Sequence, residues 1–406
     1  MNILFMSLAD YDTISFHGLY SDLLRQFIKH GHKVFLISPF ERKTQKKEQI
    51  IKEKGCVILK LKIGNTQKTN VIEKGISTVT IEPLFIRGIK KYFSKVKFDL
   101  VLYPTPPITL LKAVEYVKKR DGAKTYLLLK DIFPQNAVDI GLMSKKGVKG
   151  VLYKYFRNKE KKLYAVSDYI GCMSQANVDY VLKHNPEIDP RKVEVCSNST
   201  DPIDMSCTSE ERFEIRKKYG IPLDKIVFVY GGNLGKPQGI PFLIKCLHSQ
   251  RNNVKVFFLI VGSGTEYGKI DAYIKAKKPD NVKLMEKLPK EDYDKMIGAC
   301  DVGMIFLDHR FTIPNFPSRL LAYMQAKLPV LAVTDPNTDI GRVIIDGGFG
   351  WWCESNDALS FEKCIIKILK SKYAILGEKS FYYLQSYYSP YISYKIICKS
   401  IIEKNR

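Results

Sequence analysis

Short apolar runs alternate with stretches of helical spacing along almost the whole chain. Residues 2–8, 33–38, 57–63, 99–103, 125–130, 169–173 and 193–196 read as strands. Residues 20–30 carry Leu23, Leu24, Phe27 and Ile28, the spacing of one buried helix face, and His30-Gly31-His32 supplies a glycine stop. Strand and helix in strict alternation predict a parallel, doubly wound α/β sheet. The rhythm restarts after a polar break at residues 198–211, with strands over 226–230, 256–261, 282–285, 302–307 and 329–333. Two such runs predict two Rossmann-like domains facing across a cleft, residues 1–198 and 199–378. The tail, 379–406, is rich in Tyr and Ile and broken at Ser389-Pro390. It is expected to be helical and to cross back to the first domain.

The length fits this division: 406 residues at roughly 150 per domain suggest two or three domains. No run approaches the roughly 18 apolar residues of a membrane span. The N-terminus enters a strand at once, without a basic region or cleavage site, so a cytoplasmic protein is expected. The nine cysteines are scattered with no CxxC pair, and the six histidines show no HxxxH or HExxH. Buried reduced thiols and no metal site are expected. The charge changes the picture more. Lys plus Arg outnumber Asp plus Glu by 65 to 42, a net charge of +23. Anionic partners are therefore expected: nucleic acid, acidic lipid or phosphorylated small molecules. No helix-turn-helix, RRM, KH or zinc-finger signature supports nucleic acid, and no GxSxG turn supports a serine hydrolase.

Three segments carry candidate chemistry. Tyr230-Gly231-Gly232-Asn233-Leu234-Gly235-Lys236-Pro237-Gln238-Gly239 follows a strand and precedes a helical pattern. Its glycines either aim backbone N–H groups at an anion, with Lys236 adding charge, or make a turn of positive φ. Val261-Gly262-Ser263-Gly264 ends the next strand, the place where open α/β sheets tend to bind ligands. Asn315-Phe316-Pro317-Ser318-Arg319-Leu320 reads as a helix start with Ser318 as N-cap. It is either an ordinary capped helix or, through its dipole and Arg319, a diphosphate site.

These segments, followed by Leu328-Pro329-Val330-Leu331-Ala332, occur in one order that resembles the donor half of family 4 glycosyltransferases of the GT-B fold. His17-Gly18 is similar to the family's loop near the donor diphosphate. Lys130-Asp131-Ile132-Phe133-Pro134 is similar to an Asp-aromatic-Pro segment of the subgroup that builds bacterial surface polysaccharides such as O-antigen and capsule. Ser197-Asn198 with Asp201 resembles the Pro-Asn-Gly-x-Asp junction, without its Pro and Gly. Pro314 and Ala322 stand where the family has two glutamates, and Asn233 and Gln238 where it has Arg and Lys.

The resemblance implies a retaining transfer from a nucleotide-diphosphate sugar to a polyprenyl-diphosphate-linked saccharide, without a divalent metal. Among the residues read as catalytic, Lys236 and Arg319 are expected to stabilise the leaving diphosphate, and Asp131 to stand in the acceptor cleft as a base, as a group orienting a hydroxyl, or else as a helix cap. His17, Gly18, Gly232, Asn233, Gly262, Ser263, Gly264, Pro317 and Ser318 are assigned to donor binding. A sugar-nucleotide 2-epimerase shares the fold, and the missing glutamates keep open a non-catalytic scaffold. Residues 143–164 add a basic amphipathic helix: eight Lys or Arg against Glu160, with Val148, Val151, Leu152, Tyr155 and Phe156 at helical spacing. Its stripe either meets the anionic inner face of the membrane or packs on its own domain.

Overall fold

The computed structural model describes residues 1–65 and 70–402. The chain divides into two compact units, Met1–Asp201 with Pro390–Arg406, and Pro202–Ser389.

The first unit runs β1 (Asn2–Met6), α1 (Leu19–Lys29), β2 (Lys33–Glu41), β3 (Gln49–Glu53), β4 (Cys56–Ile63), α2 (Val71–Tyr92), β5 (Leu100–Thr105), α3 (Leu111–Asp121), β6 (Lys124–Leu129), α4 (Gln135–Asp139), α5 (Gly147–Val166), β7 (Tyr169–Cys172), α6 (Gln175–His184) and β8 (Val193–Val195). Its eight strands lie in the order β3-β4-β2-β1-β5-β6-β7-β8. All pair in parallel except β3, which runs antiparallel to β4. Helices cover both faces, so the central strands are buried on both sides and read as near-continuous apolar runs; β5 is buried throughout. One core joins the sheet to Phe85, Val114, Leu163 and Val178 of α2, α3, α5 and α6; the other joins it to Leu23, Leu24 and Phe27 of α1.

The second unit runs α7 (Ser209–Tyr219), β9 (Ile226–Asn233), α8 (Ile240–Ser249), β10 (Val256–Ser263), α9 (Tyr267–Lys277), β11 (Val282–Met285), α10 (Lys290–Gly298), β12 (Val302–Phe306), α11 (Arg319–Gln325), β13 (Val330–Thr334), α12 (Ile340–Asp346), β14 (Gly350–Glu354), α13 (Ala358–Leu369) and α14 (Tyr373–Tyr387). Its six parallel strands are ordered β11-β10-β9-β12-β13-β14, with the order reversing between β9 and β12. In such sheets the crevice at the strand carboxyl ends beside the reversal is where ligands settle. The buried Asp301 ties α7 to this sheet, pairing with Arg216 at 2.6 Å and with Arg212 while accepting the Val227 N–H.

α15 (Pro390–Ile402) packs on α1 within the first unit. The chain thus rejoins that unit at Pro390; residues 379–389 stay with the second. All nine cysteines are free, and all but Cys207 are buried. No helix among the described residues is long and apolar enough to cross a membrane. The sequence pattern misses β3 and β14. Both are edge strands with half-exposed residues, so neither forms a buried run.

Candidate functional site

In the second unit, the ends of β9 and β10 and the start of α11 converge. Gly232 and Asn233 lie opposite Gly262 and Ser263 in the parallel ladder. A Cβ on Gly262 would stand 1.9 Å from the Gly232 carbonyl oxygen, and one on Gly231 would strike the Tyr293 ring. Gly232 itself has φ of +112°, which an L side chain rarely adopts. Glycine is thus demanded here by close backbone passage at Gly231 and Gly262 and by conformation at Gly232. The rest of the turn is held by Gln238, whose Oε1 accepts from the Gly235 N–H and from Asn233 Nδ2, both at 3.1 Å. Lys236 is exposed beside it.

Arg319, the first residue of α11, lies against this turn. Its guanidinium carbon sits 4.4 Å from the centre of the Tyr230 ring. A Cβ on Gly232 would be 3.7 Å from Arg319 Nη2. Tyr323, one turn on, accepts from the Gly231 N–H at 3.2 Å and donates to the Met304 carbonyl at 3.0 Å, which locks α11 to β9 and β12. Burial pushes the phenols of Tyr230 and Tyr293 up and that of Tyr323 to about 12, so all three stay neutral. Arg319 Nη1 is buried with no hydrogen-bond partner, and no carboxylate pairs with Arg319 among the described residues. A guanidinium keeps its charge in any protein setting. A half-buried guanidinium with an enclosed nitrogen left unpartnered is costly unless a ligand supplies the acceptor.

One detail differs from the sequence expectation. Ser318 occupies the position before α11 but is already helical in φ and ψ, and its side chain caps nothing. Pro314 is buried and Ala322 half-buried, so neither offers a polar side chain where the resemblance places glutamates. Pro317 lies half-buried and Ser263 and Gly264 exposed; the Ser263 carbonyl accepts from the Leu234 N–H at 2.9 Å, and a Cβ on Gly264 would stand 2.4 Å from the Leu234 carbonyl oxygen.

The first unit presents a different arrangement. The loop over residues 7–18, at the carboxyl end of β1, is clamped at two points. Lys60 on β4, almost wholly buried, pairs with Asp10 and Asp12 and donates to the Tyr11 carbonyl at 2.8 Å. Arg25 on α1 donates to the carbonyls of Ile14 and Phe16 at 2.6 and 2.9 Å. It also pairs with Asp22 at 2.5 Å and Asp201 at 2.7 Å. His17, Asp22 and Asp201 are the one group of metal-capable donors among the described residues, and Arg25 fills it as the cation. Gly18 corrects another expectation. Its φ of 178° is ordinary extended backbone, and its N–H is donated to Asp22 Oδ1 at 2.9 Å. That donor is spent inside the fold.

Lys130 and Asp131 follow β6. Thr105 Oγ1 accepts from the Lys130 N–H at 3.1 Å and donates to the Asp131 carbonyl at 3.2 Å, which fixes the strand end. Asp131 Oδ1 accepts from Asn136 Nδ2 at 2.7 Å. Pro134, not Asp131, precedes α4, so Asp131 is no helix cap. Burial raises the Asp131 carboxyl to about 6 and lowers the Lys130 amine to about 8. Sequence reasoning assigns no role to the side chains of Arg25, Lys60, Tyr293 or Tyr323, which lie outside or unmarked within the motifs; Lys130, Tyr230 and Gln238 stand inside quoted motifs, though their structural parts are not read there.

Two parallel-sheet units, the second with a glycine-lined, cation-bearing crevice at its strand reversal, define the class: the chain has the GT-B glycosyltransferase fold. Residues 211–380 match the family model described as glycosyl transferases group 1. The chain is 26% identical over 338 residues, 82% of its length and 81% of the relative's, to the probable glycosyltransferase WbjE of Pseudomonas aeruginosa. Among solved structures, sucrose-phosphate synthase of Thermosynechococcus elongatus superposes with a TM-score of 0.75 at 15% identity, covering 98% of this chain and 97% of that one. Alr3699/HepE of Anabaena, solved with UDP, gives 0.70 at 14% identity, covering 99% and 100%. These findings support glycosyl transfer as the chemistry of the chain.

Proposed function

We propose that the chain transfers a sugar from a nucleotide-diphosphate donor to a saccharide carried on a polyprenyl diphosphate, with retention at the anomeric carbon. The observation that carries the donor half is Arg319: a half-buried, permanently charged group beside a glycine-opened strand end, with one nitrogen buried and unpartnered. A diphosphate matches it in charge and in its paired acceptor oxygens. UDP in the HepE structure supports a nucleotide donor. The likeness to WbjE and the Lys130–Pro134 segment support an acceptor in surface polysaccharide assembly.

In this reading the glycosidic bond to the diphosphate breaks and negative charge builds on the leaving oxygens. Arg319 and Lys236 meet that charge, and because Arg319 is set against the Tyr230 ring before the reaction, little reorganisation of that group opposes it. Tyr230 and Tyr323 hold Arg319 and its helix against the turn. Asp131 is assigned to the acceptor, its carboxylate receiving a hydrogen bond from the attacking hydroxyl.

The test is a panel of UDP-, GDP- and TDP-sugars with a polyprenyl-diphosphate saccharide, read by product mass. One donor should turn over, with Arg319→Ala reducing the rate about 100-fold or more. Donor conversion without any acceptor would point to an epimerase instead. Absence of both turnover and nucleotide binding would defeat the proposal.

A further inference from the structure

The α5 helix is two helices in one. In its second half three of the four cations have an acid: Arg157 pairs with Glu160 at 2.6 Å, Lys159 with Glu82 at 3.1 Å and Lys161 with Glu187 at 3.1 Å. Leu163 and Tyr164 are buried there in the core. The first half is the reverse. Val148, Val151, Leu152 and Tyr155 share one face at helical spacing, and their exposures are 90, 70, 48 and 52%. Leu142, just ahead of the helix, is exposed as well. Lys145, Lys146, Lys149 and Lys154 surround this stripe, all exposed and none in an ion pair among the described residues. At about 100° per residue, Lys149 flanks the stripe on one side and Lys154 on the other.

A stripe meant for the protein's own core is buried, as the second half is. Cations meant for surface solubility are interspersed with acids, and residues 145–155 hold no acid at all. We infer that the first half of α5, with Leu142, docks on an anionic lipid surface: the apolar stripe enters the headgroup boundary while the flanking lysines meet lipid phosphates. The same helix carries Phe156, whose ring packs edge-on against Phe133 at 5.1 Å, two residues beyond Asp131. The docking face is thereby joined mechanically to the segment assigned to the acceptor; this last link alone rests on the reaction proposed above. The docking itself does not.

The experiment is co-flotation of the full chain with vesicles of phosphatidylcholine alone, and with vesicles in which about a third of the lipid is phosphatidylglycerol. The chain should float with the anionic vesicles, less so in high salt, and stay behind with the neutral ones. Replacing Lys145, Lys146, Lys149 and Lys154 by Gln should weaken that binding about tenfold or more. Val148→Asp with Leu152→Asp should do the same, and both variants should keep the wild-type circular dichroism and nucleoside-diphosphate binding. Undiminished binding by the lysine variant overturns the inference. So does a dimer in sedimentation that the Asp variant abolishes without loss of lipid binding, which would make the stripe a contact between copies. Duplex RNA bound more tightly than anionic vesicles overturns it too, by assigning the lysines to nucleic acid.

Discussion

Arg25, midway along α1, and Arg319, at the start of α11, are each on a helix that follows a strand of a parallel sheet, yet their surroundings are opposite. Arg25 is saturated by two carboxylates and two carbonyls, all from its own unit. Arg319 has a tyrosine face beneath it and a buried nitrogen with no partner. The first spends its charge holding a loop and the residue 198–201 junction in place. The second holds its charge in reserve for an anion that arrives from outside. The difference teaches that an arginine at the mouth of an α/β sheet is read by what already neutralises it, not by its position.

The sharpest way to break this contrast is to remove each cation. Arg319→Ala should lower turnover about 100- to 1,000-fold, equivalent to about 2.7–4 kcal/mol, as a steady-state rate measurement would show. Arg25→Ala should act on the fold instead. It strands the buried Asp22 beside Asp201 and should lower stability by about 3 kcal/mol in urea unfolding. A smaller effect comes from Asp131. Its carboxyl, raised to about 6 by burial, is protonated below that pH and charged above it. Turnover should therefore rise as pH rises through about 6, and Asp131→Asn should flatten that limb and cost about tenfold at neutral pH. The sign is opposite for stability. The fold favours the protonated acid, so this group's contribution is full below the ordinary carboxyl range and is lost as pH rises through about 6. Least of all, Lys236→Ala should cost roughly threefold, because an exposed ammonium is screened by water and salt.

Much of this is legible in the amino-acid sequence alone. The alternation of apolar runs and helical spacing carries the two α/β units, because buried parallel strands have no polar face to interrupt them. The glycine turn and Arg319 stand out because the residue types themselves are unusual at a strand end. What stays hidden depends on partners far apart in the chain. Nothing near Tyr293 marks it as the ring that forces glycine at 231, and nothing near Arg25 shows that Asp201 will meet it. Gln238 reads as a lost cation and is instead the side chain that closes the turn. Ser318 reads as a cap and is not one, since capping depends on a backbone angle that residue type does not dictate. The exposed half of α5 is legible as amphipathic, but whether its stripe faces core or solvent is a tertiary fact.

The most direct test of an anion-seeking Arg319 is calorimetric titration of the wild type and Arg319→Met with UDP, GDP and TDP, with a thermal melt of each free protein. The account predicts that one nucleotide binds the wild type and binds the variant about 100-fold more weakly. It also predicts that the free variant melts no lower than the wild type, because it has lost a buried guanidinium nitrogen that has no partner. Equal nucleotide affinity in the two proteins would contradict it.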